Sequence, residues 1–482
     1  MVKKKFVVLF LTGLFISVSK AEQTVDVYNS IINQNIAGNG QGDKGKSPFG
    51  QDVTYNTLNV GNINIDSSPN IMGAFTTNND TFLGNVLNVN GIVSSPAYIF
   101  LYGCFNSSTY SDANNNIVNI AKNTEIVNSI GTTISAAIAK GNAISNKINI
   151  FPDVSINANE LLNIIAVRNT NNQGDSNLQI SNNVINISEN VSLKGNSINI
   201  LAAAISNTGS SPVNSLYITE NTITLSKNVV LDASEINIQG VKFYSQPPSV
   251  LELSNNMLTF HANKEYRVTR VGNFTNYKFY LYEGIKAGDT VLSFASGVSF
   301  DPTVTIQSLN LDGVFIDIEM TKENTISLGD SITIMHCDAG FVNFSTNSNL
   351  TIEKYSTPLF EKKSKINLNL DPSRTNIIAT LLEEQLVLNE RSKQYSQGRG
   401  AGIASVNQGG DLLAGRGIEE LEKITGQEIV PFGAVQFGKS KYKTGSVSNI
   451  SGYGVIAGIG KNVEMEEDKV FGGVFFERGG GL

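Results

Sequence analysis

Tryptophan is absent from the 482 residues, and histidine and cysteine occur only twice each. Cys104 and Cys337 stand far apart, in neither a CxxC nor a metal-ligand spacing, so no disulfide framework or zinc site follows and free thiols are expected. His261 and His336 are also far apart and form no HExxH pair, which leaves metalloprotease chemistry without ligands. Charge is also scarce, at 16% of residues with a net of -7. An acidic chain has no diffuse positive field to neutralise phosphates, so nucleic acid is excluded as a partner. Beyond residue 22 there is no apolar run long enough for a spanning helix, which needs ~20 residues. Any membrane segment there must be a strand.

What the chain has in excess is asparagine, beside 44 glycines. Such a composition favours turns and stacked strands over helices.

The amino terminus reads as an export signal. Lys3, Lys4 and Lys5 precede an apolar run from Phe6 to Val18, and Ser19, Lys20 and Ala21 supply a small-x-small cleavage site. Cleavage is expected between Ala21 and Glu22.

The long stretch that follows repeats itself. A pentad of Asn, any residue, apolar, Asn or Thr, apolar starts at Asn56, Asn85, Asn116, Asn146, Asn183, Asn221 and Asn256. The first three intervals are nearly equal and the last three are longer. Apolar residues alternate with Asn, Ser or Thr, as in Ile148 and Ile150 or Ile185 and Ile187, so each short strand has one buried face. A face of three apolar residues cannot bury itself, and coaxial stacking of neighbours solves this. The expectation is an all-β chain whose first part is a right-handed parallel β-helix. Asparagine at one register fits a ladder of amides along the axis. The longer intervals place excursions near Asn169 to Asn177 and Thr208 to Asn214.

From about Glu265 the pattern changes to an aromatic segment, Tyr277 to Phe294, and an apolar one, Asn324 to Met335, which suit a cap on the last rung. After Asp371 and Pro372 the period turns helical. Ile377, Ile378, Leu381, Leu382, Leu386 and Leu388 lie in a run without Gly or Pro from Ser373 to Gln397. A glycine-rich breaker and a short amphipathic piece, Gly417 to Thr425, follow. Dyad strands come last. From Ser451 to Lys461, Gly452, Gly454, Gly458 and Gly460 alternate with Tyr453, Val455, Ala457 and Ile459. One apolar face and one nearly bare face suit a barrel wall between lipid and lumen.

A signal, an Asn-rich stem, KAGDT (Lys286 to Thr290), NQGGDLLAGRGIEEL (Asn407 to Leu421), YKTGS (Tyr442 to Ser446) and FFERGGG (Phe475 to Gly481) together resemble a type Va autotransporter of a Gram-negative bacterium. The likeness covers the whole chain in arrangement, and its specific motifs lie in the last ~100 residues. It implies a signal at 1–21, a β-helical passenger at 22–264, a cap or autochaperone-like junction at 265–372, a helix and Gly-rich linker at 373–425, and the first strands of an antiparallel β-barrel at 426–482. The barrel-motif residues are then Gly409, Gly410, Arg416, Gly417, Tyr442, Gly445, Gly452, Tyr453, Gly458, Gly460, Phe475, Glu477 and Gly479. The resemblance also implies type V secretion, the outer membrane and its barrel-assembly machinery as partners, and residence at the cell surface or outside the cell. The family closes its barrel with about a dozen strands and this sequence supplies about three. The expectation is an interrupted reading frame, an incomplete gene model, a soluble stem with a vestigial end, or strands encoded separately.

Catalytic constellations are poor. Ser176 in GDSN and Ser331 in GDSI lack the surroundings of an esterase, and there is no GxSxG elbow. Asp312 and Asp317 are spaced for opposite faces of a strand and read as solvated turn residues, although carboxylates can meet from different rungs. Lys362, Lys363 and Lys365 read as a solvated turn before the helix. No cofactor is called for. The reading favoured is a non-enzymatic adhesin that meets a host or bacterial surface receptor through many weak contacts. A secreted β-helical polysaccharide lyase or hydrolase is the alternative.

Overall fold

A computed structural model describes residues 24–32, 35–37, 40–42, 54–76, 81–106, 111–170, 177–206, 215–245, 247–248, 250–298, 308–321, 324–344, 350–356, 360–388, 415–416, 418–423, 428–443, 447–464 and 469–481. The signal region, with Ala21 and Glu22, lies outside them. The chain divides into two compact units, Met1–Ile352 with Ser364–Glu383, and Glu353–Lys363 with Glu384–Leu482.

The first unit is all-β, with long parallel sheets of 15, 14 and 6 strands, here sheets A, B and C. Each repeat gives them strands in the same order. In one coil, Ile117–Ile120 and Glu125–Asn128 join sheet A, Gly131–Ala139 joins sheet B and Ala143–Ile144 joins sheet C. Every sheet A strand of a pentad pairs in parallel with its counterpart one interval away, Val118 with Leu87 on one side and Ile148 on the other. The arrangement is consistent with a solenoid.

The pentad explains itself by parity. Its first, third and fifth positions point inward, as in Asn116, Val118 and Ile120, and its second and fourth point outward. The inward Asn56, Asn85, Asn116, Asn146, Asn183, Asn221 and Asn256 are all fully buried. From Asn56 to Asn221, each amide nitrogen donates to the Oδ1 of the next asparagine at 2.9–3.0 Å, and each backbone nitrogen donates to the same oxygen. The second amide hydrogen goes to a sheet C carbonyl, from Asn146 to Ala113 at 2.7 Å and from Asn183 to Ala143 at 3.0 Å. A short side chain that accepts two hydrogen bonds and donates two meets this demand; aspartate cannot donate and serine donates once.

The residue before each ladder asparagine turns the corner from sheet C into sheet A. Tyr55, Asn115, Ser145, Asn182, Glu220 and Asn255 all have φ between 53 and 59°, and Gly84 has 67°. Left-handed backbone costs a side-chain-bearing residue roughly 1–2 kcal/mol, so the stacked ladder holds every corner in place.

Interval length is absorbed at one point. The register partners Ala139, Asn169, Ile205 and Phe243 lie at the end of sheet B, and the partners Ala143, Ile180, Ile218 and Leu253 lie in sheet C. The link between them is shortest from Ala139 to Ala143 and longest from Ile205 to Ile218. Nearly all the variation lies there, where the sequence places its excursions.

The parallel stack continues past residue 264, into the segment read as a cap. Tyr266–Gly272, Thr290–Ser296 and Ser331–Cys337 continue sheet B, and Asn276–Leu281 and Phe315–Met320 continue sheet A. Sheet C stops at Val250–Ser254, and the arm of sheet A that carries Glu125–Asn128 stops at Val230–Asp232. One expectation needs correction. The helix expected from Ser373 is a strand, Asn376–Leu388, antiparallel to Ser331–Cys337 and preceded by Phe360–Leu370; residues 389–397 lie outside the described set. Ile377, Ala379 and Leu381 are buried at period two, a pattern hidden within the apparent helical spacing. The last parallel strand has unpaired backbone groups, and a hairpin satisfies them where a helix would not. Asp371 closes its turn by accepting from the backbone nitrogens of Thr375 and Asn376 at 2.9 and 3.0 Å. Slight burial pushes its carboxyl up, but bonds from Ser373, Asn376 and Thr375 outweigh this and hold it at about 2. Lys365 lies on the first hairpin strand, 3.5 Å from Glu383, and not in a turn before a helix.

In the second unit, Val430–Lys443, Val447–Glu464 and Lys469–Gly481 form a three-stranded antiparallel sheet. A short helix, Ile418–Glu422, lies against it, within the amphipathic piece read from the sequence.

Removing one ladder amide strands several groups at once. Asn146→Ala is expected to destabilise the stack by about 3–5 kcal/mol, read from urea unfolding by far-ultraviolet dichroism. Glu220→Gly is expected to move the same transition the other way by about 0.5–1 kcal/mol, because the relief of corner strain exceeds the entropy the unfolded chain gains.

Candidate functional site

Three places in the described residues gather functional side chains. The first is the three-stranded sheet. Register sets Phe437 beside Tyr453, Val435 beside Val455, and Ile459 between Pro431 and Val474. These positions form one face, and it is open and apolar apart from Arg478 beside Val455, with Phe437, Val474 and Phe476 exposed by 81, 76 and 72%. The opposite face carries Gly452, Gly454, Gly458 and Gly460, with Ile456 and Phe432 buried. Of the motif residues, Gly452, Tyr453, Gly458 and Gly460 lie on the middle strand, Tyr442 on the first, and Phe475, Glu477 and Gly479 on the last. Arg416 donates to the carbonyl of Val435 at 3.2 Å. Gly409, Gly410, Gly417 and Gly445 lie outside the described residues.

The second is a cleft of about 410 Å³ lined by Glu265, Arg267, Ser293, His336 and Asp338 among others. Arg267, Ser293 and His336 stand on three adjacent strands as register partners, and this alone joins residues that the sequence separates. The Ser293 hydroxyl donates to Glu265 Oε1 at 2.8 Å, and Arg267 Nη2 meets Glu265 Oε2 at 2.8 Å. His336 lies between Asn376 Oδ1, 2.7 Å from Nδ1, and Asp338 Oδ1, 3.0 Å from Nε2. The carboxylates Glu265 and Asp338 are brought here from different rungs. Sequence reasoning identified His336 but not its neighbours, since only the strand register links them.

The third surrounds His261. Its ring stacks on Tyr280 at 4.5 Å, and Nδ1 lies 3.1 Å from the Tyr282 hydroxyl. Lys278 sits over Tyr280 at 4.8 Å and pairs with Glu319 at 2.6 Å and Asp317 at 3.3 Å.

The remaining candidates are not assembled for catalysis. Ser331 is bonded to Thr380 Oγ1 at 2.8 Å and not to His336. Asp312 is an exposed turn residue and Asp317 is the ion-pair partner of Lys278. Ser176 lies outside the described residues. Cys104 and Cys337 are free and buried, and burial pushes both thiols up. Among the described residues no cluster of three or more His, Cys, Asp or Glu is placed to hold a metal, and no helix is long and apolar enough to cross a membrane. Compared with protein-family models, curated proteins and solved structures, the chain has no match in any of the three.

Burial holds His261 below the usual imidazole range, with Glu319 opposing and Lys278 adding to the effect. The unfolded chain, with an imidazole near ~6.5, therefore takes up protons first as pH falls. This part of the stability is complete above ~6.5 and is lost as pH drops through the depressed folded value. The melting temperature is expected to fall between pH 7.5 and 5.5, and to fall less in His261→Gln, by calorimetry.

Proposed function

We propose that this chain is an exported surface protein of autotransporter type. In this reading the parallel stack is a right-handed β-helical passenger for adhesion, and the three-stranded sheet is the opening part of a membrane barrel. The observation that carries it is the open apolar face of Phe437, Val455, Ile459, Val474 and Phe476 set against a glycine-rich reverse. In water such a face is a liability; in hydrocarbon it is the outer wall of a strand bundle, with the bare side leaving room in the lumen. The sheet's two outer strands need partners there, because unpaired backbone groups cost several kcal/mol each in lipid. Further strands of the same kind supply them in this reading.

Adhesion draws support from the outward side of the pentads. Asn59, Asn88, Asn119, Asn149 and Asn186 form a surface row, each bonded to its neighbour at 2.7–3.1 Å. Such a row repeats one contact many times, which suits multivalent attachment. One observation favours the second reading, a polysaccharide-cleaving enzyme: Glu265, His336 and Asp338 line a single cleft. Against it, both oxygens of Glu265 are already occupied by Ser293 and Arg267.

Expressed in a Gram-negative host, the mature chain is expected to begin at Glu22, to fractionate with the outer membrane and to be digested by protease added outside intact cells. Phe437→Asp with Val474→Asp is expected to remove it from that fraction. A chain that keeps Met1 and stays in the cytosol refutes the reading. Release of reducing ends from polysaccharide that is lost in Glu265→Gln favours the enzyme.

A further inference from the structure

The strands of sheet A that follow each pentad present a second outward column. In Glu125–Asn128, Ile126 and Asn128 are buried while Glu125 and Val127 are exposed. Register places Val127 between Ser94 on one neighbouring coil and Asn157 on the other, with Asn64 one rung beyond Ser94. These four rungs of the column carry no charge. The column then reaches Lys194 and Asp232, which pair with each other at 3.5 Å.

Past this column the chain turns a corner into sheet B, and the corners of adjacent coils are locked together. The backbone nitrogen of Ser129 donates to the carbonyl of Ser95 at 3.2 Å, and that of Asn159 donates to the carbonyl of Asn128 at 3.1 Å. The Ser129 hydroxyl donates to the carbonyl of Pro96 at 2.6 Å, and the Asn128 amide donates to that of Ala97. Column and corners border a cleft of about 490 Å³, within the ~300–1,000 Å³ range of small-molecule sites. The cleft is open to solvent. Val127, in the middle of the column, is 37% exposed, and Asn64, Pro96, Ser129, Asn157 and Asn159 are exposed around it. The side-chain amides of Asn157 and Asn159 make no hydrogen bond among the described residues, so their donors and acceptors are available to a ligand. Asn64 Oδ1 takes only a 3.4 Å bond from the Ser94 hydroxyl. None of the residues that line the cleft is charged.

We propose that this cleft binds a neutral oligosaccharide. The inference rests on the adhesion reading and gives it a ligand class. A carboxamide offers two donors and an acceptor, so it serves a sugar hydroxyl in either role. Val127 and Pro96 give the carbon–hydrogen face of a ring an apolar surface, and ligand sites combine such a surface with a few placed polar groups. Asn64 and Asn157 stand three rungs apart, roughly 14 Å at ~4.8 Å per rung, so the fit is to a short run of linked sugars. Phosphate or sulfate polymers call for cations, and the lining has none. An extended peptide adds to a free sheet edge, whereas Glu125–Asn128 is paired on both sides.

The test is calorimetric binding of maltohexaose, cellohexaose and mannohexaose to the full chain in a detergent without a sugar headgroup, with heparin as the acidic probe. At least one of the neutral oligosaccharides is expected to bind, with an affinity that added salt leaves unchanged. Asn157→Ala with Asn159→Ala, which removes no bond of the fold, is expected to lower that affinity about tenfold through the loss of ordinary hydrogen bonds. Val127→Glu is expected to lower it as well, while Lys147→Gln, on a pentad strand of sheet A, leaves it unchanged. The proposal is overturned if none of the three binds, if heparin binds as tightly, or if the asparagine double variant binds like the parent. Cells that display the chain and attach to surfaces while no oligosaccharide binds sink the cleft and leave adhesion standing. Binding without attachment upholds the cleft and sinks adhesion.

Discussion

The stacked carboxamides from Asn56 to Asn256 are the constraint on which the rest of the structure depends. Each one after Asn56 fixes the relative height of two neighbouring coils, because its oxygen accepts both the amide and the backbone nitrogen of the preceding asparagine in the ladder. Shifting a strand by a single residue would turn this buried polar set outward and bring its solvent-facing residues into the core. Hydrophobic burial supplies most of the stabilisation, at roughly 1.5–3 kcal/mol for each fully buried Ile, Leu or Val. Burial alone is indifferent to register along a uniform column of such side chains, and the asparagines remove that indifference.

Strain and closure follow from the same ladder. The six side-chain-bearing residues that precede ladder asparagines occupy left-handed corners that their own preferences oppose. They stay there because the next residue in each case is an anchored asparagine. At the far end the column of asparagines stops, sheet C stops with it, and the chain goes on as two sheets with larger side chains. Phe260, Phe279 and Tyr277 take over the interior there, Phe260 stacked on Phe279 at 5.7 Å. The antiparallel hairpin then covers the last parallel edge, with Asp371 holding its turn.

Much of this was legible in the sequence because its signal is a spacing. Seven pentads at comparable intervals state which residues are neighbours, and period two states which side is buried. The interval differences even located the extra residues, between sheets B and C. The dyad glycines of 452–460 likewise disclosed a sheet with one apolar face. Two things were not legible. Ile377, Ile378, Leu381 and Leu382 satisfy both periods, and nothing local says that an unpaired edge waits for them. The grouping of Glu265, Ser293 and His336, or of Ser94, Val127 and Asn157, depends on register between coils of unequal length, so residues far apart in sequence become neighbours without any motif to announce it.

The place where coil length varies has an evolutionary consequence. The short link from Ala139 to Ala143 and the long one from Ile205 to Ile218 join equivalent register positions, so the segment between sheets B and C is free to lengthen by small insertions while the hydrogen-bonded frame stays in phase. Descendants of such a gene can change the length and composition of that segment, coil by coil, with the supporting frame kept in register. Diversity on this molecule should therefore be confined to one longitudinal seam.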